Sequence, residues 1–157
     1  MEYINLKKDN ILRIGIKTDK GEDTGNVLEF DLEDIELPFR LQEAHEQHKK
    51  NIMNLKNQLI IIKKRADKKG KKLFSANEEA EIKATMEFYK KEEETIDLFL
   101  GKGGTKKLLN GRKPYYRMWE DFQEYLEPVL KLLNERAMSI DEQIKKKYGT
   151  IDEGVLK

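Results

Sequence analysis

The sequence predicts an α+β fold that is mostly α: a bundle of three to five helices carrying an N-terminal β-hairpin. Three observations predict it. Apolar residues recur with period two between residues 11 and 32, they recur at helical spacing from Pro38 onward, and glycines and prolines fall between the periodic stretches.

In Ile11-Leu12-Arg13-Ile14-Gly15-Ile16-Lys17, the side chains of Leu12, Ile14 and Ile16 share one face. In Val27 to Leu32, Leu28, Phe30 and Leu32 do the same, with Glu29 and Asp31 opposite. Thr18 to Gly25 is polar and carries glycine, the composition of a hairpin loop. An isolated hairpin is marginal in water, so it must pack on helices or pair through an edge.

Pro38 suits the first turn of a helix, where its missing N–H costs nothing. Leu41, His45, His48, Ile52, Leu55, Leu59, Ile62 and Ala66 then alternate spacings of four and three. This is a seam of about 3.5-residue period, interrupted by two histidines. The helix is expected to end near Asp67–Gly70, with Gly70 as its C-cap. Ser75-Ala76-Asn77-Glu78 is a capping box that opens a second helix. Its stripe is Ile82, Met86, Tyr89, Ile96, Phe99 and Leu100, with Glu93 interrupting, and Gly101 closes it. Thr105 to Leu109 makes a short helix ended by Asn110-Gly111. Pro114 is expected to open a third long helix, with a kink or break just before Pro128. Ser139-Ile140-Asp141-Glu142 is a further capping box, predicting a last short helix that ends at Gly149. The organisation expected is a hairpin region over residues 1–36, a helical domain over 37–149 and a flexible tail over 150–157.

Composition narrows the chemistry. The chain of 157 residues holds 31 Lys+Arg, 30 Asp+Glu, two His and no Cys. Without cysteine there is no disulfide, thiolate metal site or cysteine nucleophile. The longest aliphatic run is Leu59-Ile60-Ile61-Ile62, far short of the roughly 20 apolar residues of a membrane span. No apolar leader follows Met1, so the expected location is the cytoplasm, with no membrane partner. The net charge of +1 conceals blocks of −4 over residues 1–40, +7 over 41–72, −5 over 73–100 and +3 over 101–157. Such alternation favours self-complementary packing or a homo-oligomer over a uniform field for nucleic acid.

Five constellations invite chemistry. Between positions 63 and 72, Lys63, Lys64, Arg65, Lys68, Lys69, Lys71 and Lys72 form a basic cluster suited to phosphates. A solvated helix end with cations at its negative pole explains the same run. No aromatic residue interleaves it, and the acidic helix that follows could neutralise it. His45 and His48 share a helix face at metal-ligand spacing, but the sequence offers them no good third ligand. Gly101-Lys102-Gly103-Gly104-Thr105 faintly resembles a phosphate cradle, but it follows a helix and has the wrong order for a P-loop. The acidic runs, Glu92-Glu93-Glu94 among them, read as solvent-facing. No catalytic, cofactor-binding or metal-binding residue is assigned, and no enzyme activity is expected. The aromatic concentration at Tyr115, Tyr116, Trp119, Phe122 and Tyr125 reads as core or as interface anchors. The partner-binding candidates are Leu55, Leu59 and Ile62 on the first seam, and Trp119, Phe122, Tyr125, Leu126 and Leu130 on the last long helix.

Three stretches carry a family resemblance: the hairpin ending in Leu28-Glu29-Phe30-Asp31-Leu32; Thr95-Ile96-Asp97-Leu98-Phe99-Leu100-Gly101 before Lys107-Leu108-Leu109-Asn110-Gly111-Arg112; and the aromatic, leucine-rich helix from Tyr116 to Asn134. In order and spacing the sequence resembles the small tail assembly chaperones of tailed phages and prophages of Gram-positive bacteria, over residues 11–134. The resemblance implies a small, mostly helical, non-enzymatic protein of the host cytoplasm. Such a protein binds the long tape-measure protein, and in some cases tail-tube subunits, until the tail assembles. It also implies that a longer, frameshifted product can exist. The dense basic stretch at 63–72 and the long segment beyond Ser139 depart from the family pattern. The rival readings are a small nucleic-acid-binding regulator acting through the 63–72 cluster, and a structural tail or connector component.

Overall fold

The computed structural model describes residues 1–5 and 10–149, the side chains of 136–141 and 143 excepted. Its two period-two segments pair as an antiparallel hairpin, β1 over Ile11–Lys17 and β2 over Asp23–Asp31. The second strand starts earlier than its apolar pattern because Thr24 Oγ1 donates to Ile16 O at 2.6 Å and extends the pairing towards the turn. Leu12 pairs with Phe30 and Ile14 with Leu28, which puts both apolar sets on one face. The turn closes by Gly21 N–H donating to Thr18 O and Thr18 N–H to Glu22 O, with Gly21 at φ 82°, where a side chain would be strained.

Five helices follow among the described residues: α1 Leu37–Lys63, α2 Ala76–Leu100, α3 Gly104–Leu108, α4 Met118–Tyr125 and α5 Glu127–Tyr148. The fold is therefore α+β and mostly α. The chain divides into two compact units, Met1–Trp119 and Glu120–Lys157, so the hairpin and α1 to α3 belong to one unit. Residues 150–157, the expected tail, lie outside the described residues.

In the first unit, α1 and α2 form an antiparallel pair and the hairpin lays its apolar face on the end of α2. Leu28, Phe30, Ile96 and Phe99 are buried there, with the rings of Phe30 and Phe99 5.5 Å apart. The seam of α1 runs through Leu37, Leu41, Ala44, His48, Asn51, Leu55 and Ile62. It lies one residue before the expected line at two places. Ala44 is buried where His45 was expected, and Asn51 where Ile52 was expected, because small and amide side chains allow the closer approach.

Helix α1 ends at Lys63, not near Gly70. Asp67 explains the early stop. Its Oδ1 accepts the backbone N–H of Lys68 and of Asn77, while Asn77 Nδ2 donates to Arg65 O. These bonds fold the loop back onto the start of α2. They also hold the Asp67 carboxyl below its ordinary range, the Asn77 N–H contributing most and the Ser75 hydroxyl next. The capping box is present at Ser75, whose Oγ accepts from Glu78 N–H.

Pro114 does not open a helix; α4 begins at Met118. A start at Pro114 would place Arg117 in the first turn, at the positive pole. A start at Met118 places Glu120 and Asp121 there instead. The break expected before Pro128 occurs at Leu126, and Pro128 sits in the first turn of α5. Helix α5 then runs without interruption through the backbone of Ser139, so that capping-box pattern starts no new helix. In the second unit, Phe122, Leu126, Val129 and Leu133 are buried at spacings of four, three and four. Among the described residues, no helix is long and apolar enough to cross a membrane.

Candidate protein-binding surface

The α1–α2 pair has two different halves. In the half nearer the hairpin, polar groups are buried and use one another. His48 Nδ1 lies 2.5 Å from Glu92 Oε2. Asn51 Nδ2 donates to Glu92 Oε1 and to Thr95 Oγ1, both at 2.9 Å, and Asn51 Oδ1 accepts from Gln47 Nε2 at 2.9 Å. The Thr95 hydroxyl donates to Lys91 O at 2.7 Å. The Glu92 side chain is 2% exposed and that of His48 14%. Trp119 stacks on the His48 ring, centroids 4.0 Å apart and planes 6° from parallel, with His45 6.3 Å away. A closed network of this kind penalises any slip of α1 along α2, because a shift would leave buried groups unpaired. His48 serves this packing, and His45 lies exposed at its edge. Among the described residues, no group of three metal-ligating side chains is placed to hold an ion.

The outer half is apolar and open. At about 100° per residue, Ile52 and Leu59 on α1 and Ile82, Met86 and Tyr89 on α2 turn to the same flank of the pair as His45. Ile82 is 40% exposed and Met86 66%, with Ile60 at 51% on the border of the flank. Ile52, Leu59 and Tyr89 are half-buried. The Tyr89 hydroxyl donates to Tyr116 O at 3.5 Å, at the boundary between the halves. Residues 52 to 60 rise about 12 Å along the axis, room for two turns of a partner helix.

The sequence-based candidates separate by burial. Ile62, Trp119, Phe122 and Leu126 are buried, so they support the fold. Leu55, Leu59 and Leu130 are half-buried, and Tyr125 is 56% exposed. Sequence reasoning named Leu59 but not Ile60 as a partner-binding candidate, and it placed Ile82 and Met86 in the apolar stripe of the second helix without naming them as candidates. Their helical spacing is the same for a core stripe and for an open flank.

At the tip of the pair, Lys63, Lys64, Arg65, Lys68, Lys69, Lys71 and Lys72 are all exposed. Among the described residues, only Lys72 of these forms an ion pair, to Glu79 at 3.8 Å. Glu79 also holds Lys83 at 3.2 Å, and that hydrogen bond with the two lysine charges keeps its carboxyl below the ordinary range. The acidic start of α2 thus leaves most of the cluster unneutralised.

The glycine joint after α2 is occupied by the chain itself. Asp97 Oδ1 accepts from the Thr105 N–H at 2.8 Å and from its hydroxyl at 2.6 Å, and Asp97 Oδ2 accepts from Gly103 N–H at 3.2 Å. The donors a phosphate would need are taken by this carboxylate. At Gly104 a Cβ would lie 2.4 Å from Leu100 Cβ, so the joint requires glycine there.

Beside this joint an open cleft of about 530 Å³ follows β2, lined by residues 25–29, Leu100, Lys102, Gly104 and Lys107. Asn26 Nδ2 donates to Lys107 O and to Asn110 Oδ1, which holds α3 against the strand. No protein-family model, curated protein or solved structure matches the chain.

Proposed function

We propose that this protein is a non-enzymatic assembly chaperone of a tailed phage, binding apolar helical stripes of the tape-measure protein, with tail-tube subunits as further clients. The observation that carries the reading is the open flank of the α1–α2 pair, where Ile60, Ile82 and Met86 stand exposed beside half-buried Ile52 and Leu59. A long helical client presents apolar stripes that aggregate when bare. A two-turn groove of aliphatic side chains covers part of such a stripe as a helix-in-groove contact. Each contact is weak, and many copies along one client supply persistence. The heavily charged surface of a chain that is 39% Asp, Glu, Lys and Arg keeps the coated complex in solution.

The test is co-expression with a phage tape-measure protein. The expected outcome is a client that stays soluble and is retained with the chaperone in a pull-down. Unchanged solubility and no retention would remove the reading. Purified virions should lack the protein, whereas a structural tail or connector component would be present in them.

A second reading rests on a separate observation, the exposure of the basic tip, whose seven cations form one ion pair among the described residues. A nucleic-acid regulator would bind DNA or RNA through these residues with steep salt dependence. Retention lost when Lys68, Lys69, Lys71 and Lys72 become Ala would support it, and absent or salt-insensitive retention would exclude it.

A further inference from the structure

The two edges of the hairpin differ. Leu32 N–H donates to Asn10 O at 3.1 Å, so these residues form a hydrogen-bonded pair. The pairing alternates along an antiparallel ladder. Leu12–Phe30 and Ile14–Leu28 are therefore hydrogen-bonded, whereas Arg13–Glu29 and Gly15–Val27 are not. The N–H and C=O groups of Val27 and Glu29 consequently point away from β1, along the free edge of β2. They have no hydrogen-bond partner among the described residues. The edge of β1 bears the features that block strand addition: Arg13, Lys17 and an irregularity between Gly15 and Lys17. The edge of β2 bears no lysine, arginine or proline.

The 530 Å³ cleft runs between that edge and the start of α3, which Asn26 holds against the strand, and is lined by five consecutive β2 residues. Five residues of strand extend about 17 Å, enough for a short ladder. Leu100 and Gly104 line the cleft without charge, and Gly25 adds no side chain. Lys102 and Lys107 line it too; both are exposed, and neither has an ion pair among the described residues. Glu29, at the other end of the cleft, is held by Arg13 at 3.0 Å.

We infer that the free edge of β2 is a docking site for an extended, acidic segment of a partner protein, which adds as a third strand. The outward groups of Val27 and Glu29 supply main-chain hydrogen bonds. Lys102 and Lys107 select carboxylates on the part of the incoming strand opposite Gly25 to Val27. This surface is separate from the α1–α2 flank and does not depend on the helical-client reading.

The test uses the full chain and two blocked hexapeptides, Thr-Val-Glu-Val-Glu-Val and its counterpart with lysine in place of glutamate. Hydrogen exchange is followed residue by residue. With the acidic peptide at saturation, exchange at Val27 and Glu29 should slow on the order of tenfold, while Leu28 and Phe30 stay unchanged. The lysine peptide should bind on the order of tenfold more weakly, and the surface double variant Lys102→Glu/Lys107→Glu should reverse the preference. Val27→Pro removes one outward N–H at an edge position that tolerates proline, and should weaken both peptides. No protection at Val27 and Glu29, or equal binding of the two peptides, would overturn the proposal. Protection at Val27 that grows with protein concentration without peptide would overturn it in favour of a second copy of the chain.

Discussion

Around His48 and Glu92, α1 and α2 hold each other through a closed polar network under Trp119, whereas about three turns further on, around Leu59 and Ile82, the same helices leave apolar side chains partly in water. The difference separates two tasks along one helix pair. The inner half fixes register, because every buried donor there has one acceptor arrangement that satisfies it. The outer half leaves aliphatic area in water that burial would stabilise by about 25 cal/mol per Å², the area that the proposed client contact would cover.

The largest effect should come from the cover of the inner half. Trp119→Ala removes the indole from the His48 ring and should cost about 4 kcal/mol in denaturant unfolding. A loss under about 1 kcal/mol would mean that the inner half is not sealed as described. Next is Glu92→Ala, which strands His48 and Asn51 and should cost about 3 kcal/mol. The Glu92→Ala/Asn51→Ala pair should cost less than the sum of its parts, since the two residues share one bond, and a double-mutant cycle in unfolding free energy reads that coupling.

A smaller, pH-dependent effect belongs to the start of α1. Arg40 donates to Asp34 Oδ2, and this hydrogen bond above all, with the Glu36 N–H second, holds the Asp34 carboxyl below its ordinary value of 3.8. A carboxyl lowered in the folded state binds fewer protons than in the unfolded chain. Its contribution is therefore complete above the ordinary value and is lost as pH falls through the lowered one. The pair is about one-third exposed, so the contribution is under about 1 kcal/mol. Thermal unfolding followed from neutral pH downward should show this increment in the wild type and not in Asp34→Asn.

The smallest effect on stability should come from the outer half. Ile82→Ser with Met86→Ser should change unfolding free energy by about 1 kcal/mol or less, far below the loss of Trp119→Ala, since Met86 is 66% and Ile82 40% exposed. A loss as large as that of Trp119→Ala would show that the flank is core in solution and would dissolve the comparison.

These halves were unequally legible in the sequence. The hairpin was legible because Leu12, Ile14, Leu28 and Phe30 obey period two and Gly21 marks the turn. The start of α2 was legible because Ser75 and Glu78 form a local device whose bonds span three residues. The break at Leu126 followed from Pro128. The inner network was not legible, because Asn51, Glu92 and Thr95 carry no apolar signal and their meaning lies in bonds between positions about 41 to 44 apart. The end of α1 was misplaced for a similar reason: Asp67 acts through Asn77, ten residues on. The open flank was hidden by its own regularity. Ile82 and Met86 fit a core stripe, and only the packing of α2 against α1 through Glu92 and Thr95 turns them outward.

The central claim is that the outer half of the α1–α2 pair is the client surface, and one measurement tests it most directly. A phage tape-measure protein is co-expressed with the wild type, with Ile60→Ser/Ile82→Ser/Met86→Ser, or with a control variant changed at an equal number of exposed lysines of the 63–72 tip. The account predicts a soluble client with the wild type and with the tip variant, and an aggregated client with the flank variant, whose unfolding free energy stays within about 1 kcal/mol of wild type. A stable flank variant that keeps the client as soluble as the wild type does would contradict the account.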